Sequence, residues 1–74
     1  MIKFEDFVNT IDSDRVDFLV ICNDKPYNDY LKVVDARSDK CVYKDRYIDH
    51  FDISLVILND NKIEVNIVVR LKDL

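Results

Sequence analysis

The chain of 74 residues has no glycine and no tryptophan, a single proline (Pro26), a single alanine (Ala36) and a single histidine (His50). Glycine is the usual residue where the backbone needs a positive φ. Without it, tight turns fall to Asn and Asp, which also tolerate the left-handed region. No GxGxxG, Walker or other Gly-rich phosphate loop can be written, so nucleotide binding through such a loop is excluded. Two cysteines, Cys22 and Cys41, are too few for a disulfide-stapled domain and read as free thiols. With one histidine and no CxxC pair, a zinc site would need an Asp to complete a Cys22, Cys41 and His50 set. No metal or cofactor is therefore expected. The net charge is −4 and no Lys/Arg-rich run exists, which disfavours direct nucleic-acid binding. No apolar stretch reaches transmembrane length, and Met1–Asp6 does not read as a signal peptide. The expectation is a cytoplasmic protein that makes no membrane contact.

What is present is Asp and Asn, nineteen residues in all. They gather where turns are needed: Asp12-Ser13-Asp14, Asn23-Asp24, Asn28-Asp29, Asp39 and Asn59-Asp60-Asn61. Abundant Ile, Asn, Asp, Lys and Tyr beside scarce Gly, Ala and Pro is also the bias of an A+T-rich genome. A domain this short buries only about 60% of its unfolded-chain surface, so it needs a well-filled core. Twenty-four Ile, Val and Leu residues, with four Phe and four Tyr, supply the material.

Hydrophobic spacing orders the elements. Phe4, Phe7, Val8 and Ile11 share one helical face, and Glu5 and Asp6 suit the first turn of such a helix. A helix is predicted over 3–11. From Arg15 to Cys22 the pattern alternates and β-branched residues favour a strand. Residues 30–36 read as a second strand. Tyr43, Tyr47, Ile48 and Phe51 suggest a helical turn around 44–50. Residues 52–58 and 62–71 alternate around Asn59-Asp60-Asn61 and read as a hairpin with one dry and one mostly wet face. The prediction is a single α+β domain, α-β-β-short α-β-β. Its N-terminal helix packs on a mainly antiparallel sheet of about four strands that ends in a β-hairpin.

Four features bear on function. Asp45, Asp49 and Asp52 stand near His50, a pairing able to do acid–base work. With thirteen aspartates in the chain, such a cluster arises readily as a solvated turn, and no enzymatic activity is expected. Tyr27, Tyr30, Tyr43 and Tyr47 exceed the needs of a core, because a buried phenol wants a polar partner. Tyrosines also anchor interfaces. Asp29, Asp45 and Asp49 lie among them, which makes Tyr27, Asp29, Tyr30, Tyr43, Asp45, Tyr47 and Asp49 the candidate protein-contact residues. The acids are interleaved with bases, so the stretch is a weak mimic of nucleic-acid charge. Finally, so apolar a hairpin leaves a sheet edge to be covered. Val68, an apolar intrusion on the wet face, marks a candidate homodimer face.

The opening Ile2-Lys3-Phe4-Glu5-Asp6-Phe7, the strand Val16–Cys22, the stretch Lys44–Ile53 and the terminal Ile63–Val69 follow in an order that resembles small α+β proteins of phages and prophages of low-G+C bacteria. That group includes anti-CRISPR proteins. The likeness is one of pattern and transfers no functional residue. It implies a non-enzymatic protein that covers the surface of a host or defence protein, for example a CRISPR-type protein that handles nucleic acid, and it fixes no target. The alternative is a homo-oligomeric assembly protein joined through a sheet edge.

Overall fold

The computed structural model describes residues 1–23 and 27–73. Five strands and two short helices follow in the order β1 (Ile2–Lys3), α1 (Phe4–Val8), β2 (Phe18–Cys22), β3 (Asp29–Leu31), α2 (Val33–Ala36), β4 (Tyr47–Ile57) and β5 (Ile63–Leu71). The strands form one mixed sheet in the order β1-β4-β5-β2-β3. All neighbours are antiparallel except β2 and β5, which run parallel.

The N-terminal helix arises where the spacing predicted it. Phe4, Phe7, Val8 and Ile11 are all buried, although the regular helix stops at Val8 and a looser turn carries Ile11. Both helices lie against the sheet face made by Leu19, Ile21, Ile48, Ile67, Val69 and Leu71. The most deeply buried side chains are Phe4, Val8, Leu19, Ile21 and Val69. Each is worth roughly 1.5–3 kcal/mol against exposure to water.

Two elements differ from the sequence expectation. The predicted strand 30–36 ends at Leu31, and Val33–Ala36 is helical. Val33 and Ala36 are buried while Val34 is exposed, so the i,i+3 pair decides the structure over β-branched propensity. The only alanine sits where α2 meets α1, where a small side chain lets the helices approach.

The predicted helical turn at 44–50 is instead a turn followed by strand β4. A β-bulge interrupts the β4–β5 register between Ile48 and His50. The extra residue reverses the alternation, so Ile48 and Phe51, three apart, face the same side. That spacing imitates a helix. The sheet has five strands rather than about four because β1 adds a short edge strand ahead of α1, and the second helix of the α-β-β-α-β-β series falls at Val33–Ala36 rather than at 44–50.

Side-chain acceptors support several of the turns alongside backbone hydrogen bonds. Asp12 Oδ1 accepts the Asp14 N–H at 3.0 Å, and Ser38 Oγ accepts the Lys40 N–H at 3.2 Å. Among the described residues only Asn61 has a positive φ, 62°. It lies in the hairpin loop, where its N–H donates to the Leu58 carbonyl and the Leu58 N–H donates to the Lys62 carbonyl. Asn61 stands where such a loop usually places glycine. Apart from Asn23, the predicted Asn23–Pro26 turn lies outside the described residues.

Candidate protein-interaction surface on the hairpin

The helices are too short to roof the whole sheet. They cover the end of the β4–β5 hairpin that holds Ile48, Val69 and Leu71, and the tilted contact of Phe7 on Phe51, 4.9 Å between ring centroids, is where that cover stops. Beyond it, on the same face, Ile53 is 67% exposed, Leu55 64%, Ile57 77% and Ile63 60%. The dry face predicted for Ile63–Leu71 is thus dry only from Ile67 onward. An exposed apolar surface continuous with a core is a feature that marks interaction sites.

The outer edge of the same hairpin is open. The Asp17 N–H donates to the Val65 carbonyl at 2.8 Å, so Val65 turns its backbone toward β2. Successive residues of a strand turn alternately. Glu64, Asn66, Val68 and Arg70 therefore face β4, opposite Val56, Ser54, Asp52 and His50. It follows that Phe51, Ile53, Leu55 and Ile57 direct N–H and C=O away from β5. Among the described residues, β1 covers that edge only opposite Tyr47 and Ile48. Lys, Pro and bulges are the usual protection of such an edge. From Phe51 to Ile57 there is no Lys and no Pro, the bulge lies before the stretch, and Asp52 is the only charge.

Where β1 ends and the open edge begins lies a shallow apolar cleft of about 390 Å³, lined by Met1, Ile2, Phe7, Ile48 and Phe51, with Asp49 and His50 at its side. A second cleft of about 380 Å³ is polar, with Arg46, Arg70 and Lys72 facing Asp49 and Asp73. Arg46 Nη2 is already engaged there, donating to the Lys72 carbonyl at 2.9 Å.

The tyrosines and aspartates nominated from the sequence do not form one patch. Tyr27, Asp29 and Tyr30 sit at or beside β3, one edge of the sheet, with Tyr27 and Tyr30 exposed. Tyr47 and Asp49 open β4, three strand steps away or about 14 Å, and Asp45 lies exposed in the preceding turn. Tyr43 is a core residue instead. It is 5% exposed, meets Phe4 edge-on at 5.9 Å, and its hydroxyl accepts the Asn23 side-chain N–H at 3.2 Å. Its ring is unavailable to a partner. Val68 lies on the helix-free face of the central strand, between Val20 and Asp52, and is half-buried.

His50 Nδ1 is 3.0 Å from Asp49 Oδ2, and both side chains are more than half exposed. Among the described residues, no group of three or more His, Cys, Asp or Glu could hold a metal ion. Burial pushes the Cys41 thiol above its ordinary 9.0. That keeps the thiol protonated and lowers its reactivity as a nucleophile. No helix among the described residues is long and apolar enough to cross a membrane.

No family model, curated protein or solved structure matches this chain.

The hairpin surface was legible in part. Ile53–Leu58 is a six-residue run with no charge, and an edge needing cover was expected. What the alternation did not reveal is that the helices stop short of Ile53, Leu55, Ile57 and Ile63.

Proposed function

We propose that this chain is a non-enzymatic protein-binding module and that the β4–β5 hairpin is its recognition element. One observation carries the reading. Four large aliphatic side chains stand at least 60% exposed, Ile53, Leu55 and Ile57 on a strand edge left unpaired among the described residues and Ile63 opposite Ile57 on β5. Main-chain groups on such an edge give affinity and alternate side chains give specificity, the mode of β-strand addition. The resemblance to phage and prophage accessory proteins supports a cytoplasmic role as an inhibitor. In that role the hairpin covers a host or defence protein that handles nucleic acid. Tyr27, Asp29 and Tyr30 form a second, separate contact at the β3 edge.

The test is capture from the lysate of a low-G+C bacterium, followed by calorimetry with the purified partner. Leu55→Lys places a charge in the apolar face at a position that is already exposed, so the fold survives. The expected result is loss of binding by at least tenfold with an unchanged far-UV spectrum. Full binding by Leu55→Lys, with loss on Tyr30→Ala, removes the hairpin from the interface and assigns recognition to β3.

A further inference from the structure

We infer that the open edge of β4 pairs with β4 of a second copy of this chain, antiparallel, about a two-fold axis beside Ser54. The inference rests on the hairpin being an interaction element; it assigns the edge to a second copy when no protein partner is bound, so a partner that adds a strand there competes with the dimer.

The register follows from the backbone. Phe51, Ile53, Leu55 and Ile57 are the residues with outward N–H and C=O groups. An antiparallel pair hydrogen-bonds when outward residues face each other. Centring on Ser54 sets Phe51 opposite Ile57 of the other copy and Ile53 opposite Leu55, so all four outward residues of each strand are used. Centring on Ile53 or Leu55 strands one of the four beyond the paired stretch. Centring on Asp52 sets Asp52 against Asp52, and like charges directly opposite are destabilising. About Ser54, each Asp52 faces Val56, and the two carboxylates lie four residues apart along the strands. That separation is roughly 13 Å, beyond the screening length at ordinary ionic strength, about 8–10 Å. The charge pattern therefore selects the same register as the hydrogen bonding.

The side chains agree. The two-fold axis stands normal to the sheet, so both hairpins keep their apolar faces on the same side. Phe51–Ile57 and Ile53–Leu55 become cross-strand apolar pairs, the kind that stabilise sheets. Ile57, 77% exposed in a single copy, arrives beside the partner copy's Phe51. That ring borders the cleft lined by Met1, Ile2, Phe7 and Ile48. The cleft opens where β1 stops, in line with the incoming strand. Seven residues of strand and four large side chains make a contact near the small end of specific interfaces, roughly 1,000–1,200 Å² in total. A concentration-dependent dimer with micromolar affinity is expected. Each chain carries a net charge of −4, so added salt should strengthen the dimer by screening their repulsion.

The experiment is sedimentation equilibrium of the whole chain from low-micromolar to several hundred micromolar protein, with three variants checked for folding by far-UV circular dichroism. Wild type should shift from monomer to dimer across this range. Ile57→Lys should stay monomeric, and Val68→Lys, on the helix-free face, should dimerise as wild type does. Ser54→Cys should form an interchain disulfide on mild oxidation, because opposed residues of a non-hydrogen-bonded pair bring their Cα atoms to about 4.5 Å. Peptide mass spectrometry distinguishes this link from any through Cys22 or Cys41. Three results overturn the inference: wild type monomeric throughout, a dimer dissolved by Val68→Lys but not by Ile57→Lys, or a dimer in which the Ser54→Cys variant does not cross-link at that position. A monomer whose partner binding is still lost in Leu55→Lys sinks the dimer and leaves the hairpin-recognition reading standing.

Discussion

Arg37 joins the two helices, and removing it should cost the fold a large share of its stability. Its Nε donates to the Val8 carbonyl at 3.0 Å, and its Nη2 donates to the Ile11 carbonyl. These carbonyls belong to the end of α1 and the turn that follows. The last carbonyls of a helix have no partner within the helix, and a cation is favoured there by the helix dipole. Both acceptors belong to buried residues, so water replaces the guanidinium poorly. A hydrogen bond to a charged group is worth about 1.5–3 kcal/mol. The two share one side chain that is itself largely exposed, so a combined loss of about 2 kcal/mol is the reasonable estimate for Arg37→Met, which keeps the apolar stem. For a domain of this size total stability is about 4–11 kcal/mol. Urea denaturation followed by circular dichroism should show the midpoint fall by about 2 M, given a slope near 1 kcal/mol per molar. The thermal midpoint should fall by roughly 8–16 °C. Arg37→Lys should recover part of the loss, because one ammonium reaches one carbonyl but cannot span both as the planar fork does. If Arg37→Met unfolds within about 0.5 kcal/mol of wild type, the two bonds contribute nothing net and the helix-clamp reasoning is wrong.

Asn66 is 5% exposed, its side-chain N–H donates to Glu64 at 3.1 Å, and its Oδ1 has no partner among the described residues. Asn66→Val should therefore stabilise the fold by about 1 kcal/mol, since a buried unpaired acceptor costs about 1–3 kcal/mol; a lower urea midpoint for the variant contradicts this. Asp17 holds Val65 through two hydrogen bonds, donating its N–H at 2.8 Å and accepting the Val65 N–H on Oδ2 at 2.7 Å. Asp17→Ala should cost about 1 kcal/mol and Asp17→Asn less, because the amide oxygen still accepts; equal losses would show that the side-chain bond is not what matters. For Cys41, whose thiol is raised above 9.0 by burial, the folded state favours the neutral form. The contribution to stability is complete below 9.0, where the unfolded thiol is also neutral, and fades as pH rises through the higher folded value. The difference in stability between wild type and Cys41→Ala should thus be flat below pH 9.0 and shrink above it; a difference that grows with pH contradicts the sign.

The sequence by itself determined the parts whose signal is local. Phe4, Phe7, Val8 and Ile11 repeat at helical spacing, and those four are buried together. Val16–Cys22 and the two arms around Asn59–Asn61 alternate, and each contains a strand. The absence of glycine assigned the hairpin's left-handed position to an asparagine, Asn61. Tertiary structure decided what local pattern leaves ambiguous. A bulge at Asp49 turned the spacing of Ile48 and Phe51 from an apparent helix into a strand, because one extra residue reverses which face a side chain meets. Val33 and Ala36 are helical, and as an i,i+3 pair they turn one face of α2 into the core. The parallel pairing of β2 with β5 joins residues distant in the chain, and no periodicity within either strand encodes its neighbour. The same is true of the candidate site. Alternation showed that Ile53, Leu55, Ile57 and Ile63 share a face with the core. Only the lengths and placement of α1 and α2 left that face uncovered, and only the brevity of β1 left the edge beside it open.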